Sequence, residues 1–336
     1  MKKKNSDGFP FPVFVAMAIL IGVFFLLWGQ SNSAATVYEL AFLRYRAQAQ
    51  LDTMAEWSVT AEEQAALDAA GEAAEAWEGA HTPTEGSFVT ESAAGWFGEG
   101  AKLTLNYRYY DRGTGKTVIL LHGFQGTEEP DLTAAPWWWE QGYGVLIPQQ
   151  RGYQEPGDTN HIATTYGVYE EFDLYDLIRA AGLAEETVLI HAKGAGAAAA
   201  ILLASNESLA GAGLDGIVAE SVYDQMGQMQ RSLLKKLYRL GDWFVGRFLR
   251  SRIRSSLGFE PDSVDIRAAA ANLSCPVLFV CGSQEILPGE AASLAVYDAC
   301  AAKKELVVVS GASYRALWLS EDYRDAVEAF LPQRGD

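Results

Sequence analysis

Apolar and polar positions along the chain fall into three regimes. From Phe9 to Trp28, "FPFPVFVAMAILIGVFFLLW", no charge interrupts the run, and about 20 such residues in a helix span a bilayer core. From residue 36 to 80 the period is helical: "VYELAFLRYRAQAQLDTMAEW" and "TAEEQAALDAAGEAAEAWEGA" predict solvent-facing helices. The second opens on Thr60 as N-cap, with Glu63 completing a capping box. From about Thr84, short apolar runs alternate with amphipathic helices such as "GVYEEFDLYDLIRAAG" and "EDYRDAVEAFL". Strands are predicted at Lys102 to Tyr110, Thr117 to His122, Tyr143 to Pro148, Thr187 to His191, Gly216 to Ala219, Pro276 to Cys281 and Glu305 to Val309. Apolar strands without two-residue alternation, each followed by a helix, indicate a mostly parallel α/β sheet, doubly wound and covered on both faces. Such a sheet carries its site at the carboxyl ends of the strands. The pattern divides the chain into an anchor (1–30), a helical juxtamembrane segment (31–83) and an α/β domain (84–336).

One insertion, residues 223–262, breaks the rhythm. It is helical in period and holds Arg231, Lys235, Lys236, Arg239, Arg247, Arg250, Arg252 and Arg254 against Asp242 as counter-charge. Two readings fit. A cap would pack its stripe of Leu233, Leu237, Leu240, Phe244 and Phe248 onto the sheet and leave the charges in solvent. A basic face beside a membrane anchor would also attract anionic lipid headgroups. "WWWEQGYG" (Trp137 to Gly144) reads as a helix packing on the sheet.

Composition narrows the partners. A formal charge of −17 over 336 residues excludes a nucleic-acid surface, which needs a basic face. Cys275, Cys281 and Cys300 have neither metal-ligand spacing nor a disulfide pattern: Cys275 and Cys281 open and close one strand, roughly 20 Å apart. Lys2, Lys3 and Lys4 precede the apolar run, and the next basic residues are Arg44 and Arg46, so the positive-inside rule puts the N-terminus in the cytoplasm. The expected location is the cell membrane, single-pass, with the C-terminal domain extracytoplasmic. Ser33 and Ala35 also form a small-x-small cleavage pattern, but the apolar run exceeds the usual signal-peptide length of about 7 to 15 residues, which favours an uncleaved anchor.

The stretch "VLIHAKGAGAAAAILLA" (Val188 to Ala204) has strand-turn-helix character with a small-residue turn, the setting of a G-x-S-x-G nucleophile elbow. Other blocks accompany it: "TVILLHGFQGT", "GYGVLIPQQRGYQEP" followed by "TTYGVYEEFDLYDLI", "CPVLFVCGSQEILP" and "LVVVSGASYRALW". In this order they resemble the α/β-hydrolase superfamily, and within it the bacterial, N-terminally anchored, serine aminopeptidase-like branch. The likeness runs from about Glu85 to Leu331. It implies an α/β-hydrolase fold with residues 223–262 as a helical cap.

The resemblance also implies where catalytic groups should stand. The nucleophile position falls at Gly194, the acid at Glu285 and the base at Tyr314, or Ser313 if the loop shifts by one. Glycine has no atom to attack a carbonyl, and a tyrosine of pKa near 10 is a poor general base at neutral pH. His81, His122, His161 and His191 all precede the elbow helix, whereas the family's histidine comes last. Gln149 and Tyr153 replace an Asp and a His of the family's loop. What persists is the oxyanion hole: the N–H groups of Phe124 and Ala195, beside His122 and Gly123, could bind a carbonyl or carboxylate. Lys193 flanks the elbow either as a solvated lysine or as a desolvated amine nucleophile. His122, His191 and Glu220 end adjacent strands, which makes a metal site conceivable, but packed imidazoles account for them better, and neither metal nor cofactor is expected. Two functions follow: a pseudoenzyme binding a small acyl, peptide or lipid ligand or a protein partner, or an active esterase or peptidase that uses Lys193, Ser313 or Tyr314.

Overall fold

Eight strands form one sheet in the order β1-β2-β4-β3-β5-β6-β7-β8. The computed structural model describes residues 11–42, 59–90, 102–123, 132–153, 163–236, 239 and 241–331. The strands are β1 (Thr84–Thr90), β2 (Leu103–Tyr110), β3 (Lys116–Leu121), β4 (Gly144–Pro148), β5 (Thr187–Lys193), β6 (Gly216–Glu220), β7 (Val277–Gly282) and β8 (Lys304–Val309). β1 pairs with β2, and β2 with β4, antiparallel; every other pairing is parallel. β4, β6 and β7 are buried at every position, as their unbroken apolar sequences require. All seven expected strands are present. β1 was not foreseen: it is an edge strand, and "TEGSFVT" buries only Phe88 and Thr90.

Helices cover both faces. On one side lie α1 (Phe11–Phe42), α4 (Glu170–Ala180), α5 (Ala195–Ser205), α8 (Ile266–Ala270) and α9 (Glu290–Ala299). On the other lie α2 (Ala61–Ala80), α3 (Ala135–Glu140) and α10 (Glu321–Phe330). α5, "AGAAAAILLAS", is apolar on all sides and accordingly sits in the core between the sheet and α4. In α3, Trp138 is fully buried, as expected for a helix packed on the sheet. The cysteines are buried and free.

The cap comprises α6 (Met226–Lys236), a π-helical turn (Asp242–Gly246) and α7 (Arg247–Leu257). A two-stranded neck closes its base: Met226 N–H donates to Val264 O (3.1 Å) and Ile266 N–H to Asp224 O (2.8 Å). Leu233 is buried and Phe248 packs against the core as expected; Leu237 and Leu240 lie outside the described residues. Asp242 is not the sole counter-charge. Arg250 pairs with Asp242 (2.8 Å), but Arg231 reaches Asp262 (3.0 Å) and Arg254 reaches Glu260 (2.9 Å).

The segment after the apolar run departs from the expected solvent-facing helix. α1 is continuous from Phe11 to Phe42, and Ala34, Val37, Tyr38, Ala41 and Phe42 are buried against the domain. Their spacing forms one helical stripe, which packs on α7. Thr164 N–H donates to Phe42 O (3.0 Å), and the Tyr166 hydroxyl donates to Ala41 O (2.7 Å). From Met17 to Trp28, by contrast, large apolar side chains are exposed. Among the described residues α1 is the one helix long and apolar enough to cross a membrane, a property shared with signal sequences. α2 is docked as well. Its predicted capping box is present: Glu63 N–H donates to Thr60 Oγ1 and Thr60 N–H to Glu63 Oε2. Trp77 is buried among Tyr110, His81 and Trp139, and Glu78 binds Arg108 and Tyr110.

Candidate active site

β5 delivers its last residues to the carboxyl edge of the sheet, and Gly194 makes the turn into α5. Its backbone sits at φ 53°, ψ −110°, a sparsely populated conformation that glycine adopts with the least strain. Gly194 N–H donates to Glu220 O (2.7 Å), and Gly194 O accepts from Ala198 (3.0 Å), the first bond of the helix. Two residues on, Gly196 lies so close to β3 that a Cβ there would be 2.8 Å from Leu121 Cβ. The corner thus has the strained turn and the close helix-strand approach of an elbow, without a side chain at its tip.

Tyr314 fills the vacated space. A Cβ placed on Gly194 would stand 2.6 Å from the Tyr314 hydroxyl oxygen, and one placed on Gly123 would collide with the same atom. The phenol is wedged between two glycines, one in the turn after β3 and one at the start of α5. Its ring also receives Lys193, whose Nζ lies 5.5 Å from the centroid. The loop carrying Tyr314 is latched by the first turn of α2: Ser313 N–H donates to Glu63 Oε1 (3.3 Å), and Arg315 Nη1 donates to Gln64 Oε1 (3.4 Å). Ser313 Oγ is buried with no hydrogen bond among the described residues.

Lys193 is not the solvated lysine of the first reading. It is buried at the end of β5, with Nζ 3.2 Å from Glu220 Oε2 on the neighbouring strand. Glu220 anchors a larger network. Its Oε1 accepts from His191 Nε2 (2.7 Å) and the Tyr323 hydroxyl (2.8 Å), while Trp138 Nε1 donates to His191 Nδ1 (2.9 Å). An indole N–H can only donate, so Nδ1 is the acceptor and Nε2 carries the proton. Burial pushes the Glu220 carboxyl up, but the Lys193 charge and the hydrogen bonds from His191 and Tyr323 outweigh it and hold it at about 2. His191 is therefore a packed, fully engaged imidazole, and its Nδ1 lone pair is committed to Trp138. A cavity of ≈ 30 Å³ beside His122, His191, Lys193 and Glu220 has room for about two waters.

Glu285 is hydrogen-bonded at the end of β7. Its Oε1 accepts from Ser221 Oγ (2.5 Å) and from Gly282 N–H (2.7 Å). Ser221, directly after β6, is fully buried at φ 50°, a left-handed value unusual for serine. Burial raises the Glu285 carboxyl to about 7, with the Glu220 charge adding to the rise. The acid at the family position thus contacts a serine just after β6 rather than a histidine on the last loop.

Of the expected oxyanion groups, His122, Gly123 and Ala195 converge on this corner. Phe124 lies outside the described residues. Ala195 is the first residue of α5, so its N–H has no intrahelical acceptor. The turn after β3 is held by the loop after β4: Tyr153, which departs from the family pattern, stacks edge-on against His122 at 4.3 Å and its hydroxyl donates to Gly123 O (3.3 Å), while Gln150 Nε2 donates to His122 O (3.1 Å). Sequence reasoning sets Ser221 aside as a serine outside any elbow, and it places His191 and Glu220 on adjacent strands without their links to Lys193, Tyr323 and Trp138. Its one available signal was the pair of opposite charges, Lys193 and Glu220, ending two otherwise apolar strands.

No family model and no curated protein matches the chain. Solved structures do. An esterase of Pyrococcus furiosus is similar at 19% identity and TM-score 0.57, over 75% of this chain and 91% of that one. The acylaminoacyl peptidase of Pyrococcus horikoshii is similar at 13% identity and TM-score 0.53, over 78% of this chain and 44% of that one. Together with the strand order and the glycine elbow, these likenesses establish the fold: the chain has the α/β-hydrolase fold, preceded by one long apolar helix.

Proposed function

We propose that this chain is a membrane-anchored pseudoenzyme of the serine aminopeptidase-like branch, whose degenerate triad leaves a hydrolase scaffold to bind a small acyl, peptide or lipid ligand or a protein partner. The observation that carries the reading is the Tyr314 hydroxyl lodged against Gly194, where a nucleophile's side chain would project. Neither Lys193 nor Ser313 is well served as an alternative nucleophile. Lys193 is occupied as the counter-ion of Glu220, and Ser313 Oγ makes no hydrogen bond among the described residues. The test is exposure of the membrane-embedded protein to a fluorophosphonate probe and a panel of p-nitrophenyl esters. Neither labelling nor turnover above background is expected; activity abolished by a single substitution at this corner would overturn the proposal.

An active hydrolase is the second reading, and the Ser221–Glu285 contact is the observation that favours it. Ser221 combines positive φ with a carboxylate partner of raised pKa. Probe labelling lost in Ser221→Ala would select this reading.

For location, we propose an uncleaved single-pass anchor with the domain on the extracytoplasmic side. The small-x-small site at Ser33 and Ala35 lies inside α1, and Ala34, Val37 and Tyr38 are packed on the domain, which supports retention of the segment. The three N-terminal lysines support the orientation. Protease shaving of intact cells should remove the domain; full resistance would overturn the orientation.

A further inference from the structure

The cap holds an exposed tryptophan beside the apolar helix. Trp243, in the π-helical turn before α7, is 81% exposed, whereas Trp77, Trp138 and Trp318 are buried. Its height along α1 follows from three contacts. At their C-terminal ends α1 and α7 converge on one loop, where Thr164 N–H donates to Phe42 O and the Tyr169 hydroxyl donates to Leu257 O (2.7 Å). Further back, the Arg252 guanidinium lies 5.7 Å from the Tyr38 ring. The two helices therefore run in the same direction, with Arg252 level with Tyr38. Trp243 precedes Arg252 by as many residues as Gly29 precedes Tyr38, about 13 Å of helix at 1.5 Å per residue. Trp243 is thus level with Trp28, which is itself 57% exposed and closes the exposed apolar run of α1.

Two exposed tryptophans at one height, at the end of an apolar helix, match the aromatic belt of a membrane-water interface. The charge nearby fits the same setting. Arg247, one turn beyond Trp243, and Arg252 are exposed and have no carboxylate partner among the described residues, in a chain of net charge −17. We infer that the Trp243–Arg247 edge of the cap is seated in the headgroup layer of an anionic bilayer, with the indole at the interface and Arg247 against lipid phosphate. This placement rests on α1 being a membrane span. Anchored at one end by α1 and at the other by the cap edge, the domain would hold a fixed tilt, with its cap against the lipid surface.

The test uses the full chain with Trp243→Cys, labelled with nitrobenzoxadiazole; the native cysteines are buried and leave the new thiol the accessible one. A control label goes at Glu305→Cys, exposed on β8 at the far edge of the sheet. The proteins are reconstituted in liposomes of phosphatidylcholine alone or of equimolar phosphatidylcholine and phosphatidylglycerol. Headgroup spin-labelled lipid should quench the label at 243 several-fold more than the label at 305. Arg247→Glu should lower that quenching in the anionic liposomes and leave it unchanged in the neutral ones. Equal quenching at 243 and 305, in protein that floats with liposomes after an alkaline wash, would overturn the inference. Protein that fails to float would overturn the membrane-span reading, and this inference with it.

Discussion

The Tyr314 hydroxyl stands 2.6 Å from the point a Cβ on Gly194 would occupy, although the two residues lie on different loops at the ends of different strands. The same oxygen abuts Gly123 in the turn after β3. On the proposed reading, the two departures from a working hydrolase, glycine at 194 and tyrosine at 314, are one structural event. Glycine at the elbow admits the phenol, and the phenol occupies the position from which a base would act.

Restoring the serine alone is expected not to restore chemistry. Gly194→Ser would crowd the phenol and still lack a base, so ester turnover should stay at background. Adding Tyr314→His clears the phenol and supplies an imidazole, and the double variant should hydrolyse a p-nitrophenyl ester about 10²-fold faster than Gly194→Ser. The comparison is made by steady-state kinetics. A fast esterase from the single change would mean that a base other than residue 314 serves this corner.

The buried charge pair is expected to behave as a structural unit. Glu220→Ala strands Lys193 in the interior and removes the acceptor of His191 and Tyr323, which should cost about 3–5 kcal/mol. Lys193→Met in the same chain removes the unpaired charge, and the double variant should be the more stable of the two. Denaturant unfolding of both variants checks the order.

Stability should fall between about pH 4.5 and 7. Burial raises Glu285 to about 7, and burial does the same to Glu171, against 4.5 for an unfolded glutamate. In that window the folded chain binds more protons than the unfolded one, so stability declines as pH rises, by up to about 3 kcal/mol for Glu285 and by less for the more exposed, solvent-screened Glu171. Glu220 works in the opposite sense at lower pH: its depressed carboxyl contributes above about 4.5, and that contribution is lost as pH falls toward 2. The combined Glu171→Gln and Glu285→Gln variant should flatten the decline, as read from unfolding midpoints at about pH 5 and about pH 8.

Much of the fold was legible because parallel strands buried on both faces, such as "VLFVCG", announce themselves as unbroken apolar runs. β1 escaped notice because an edge strand with two buried residues carries little pattern. The docking of α1 was visible in principle: Ala34, Val37, Tyr38, Ala41 and Phe42 recur with helical spacing, but the charges that follow them read as a solvated helix. At the site, Gly194 and Tyr314 were each placed by motif. Their contact was not legible, since no local pattern records which side chain fills a space left by a residue on another strand. Lys193 stayed open between two readings for a related reason: its partner, Glu220, is adjacent only through the pairing of β5 with β6.

The most direct measurement is the coupling energy between positions 194 and 314. Gly194→Ala in the wild-type background should cost the strain of its positive φ, about 1–3 kcal/mol, plus an overpacking cost of similar size against the phenol oxygen. With Tyr314→Phe the nearest remaining ring atom is 3.5 Å from the new Cβ, so only the strain should remain. A double-mutant cycle read by denaturant unfolding is expected to give a coupling of at least about 1 kcal/mol. Additive costs would mean that the hydroxyl does not occupy the nucleophile's place.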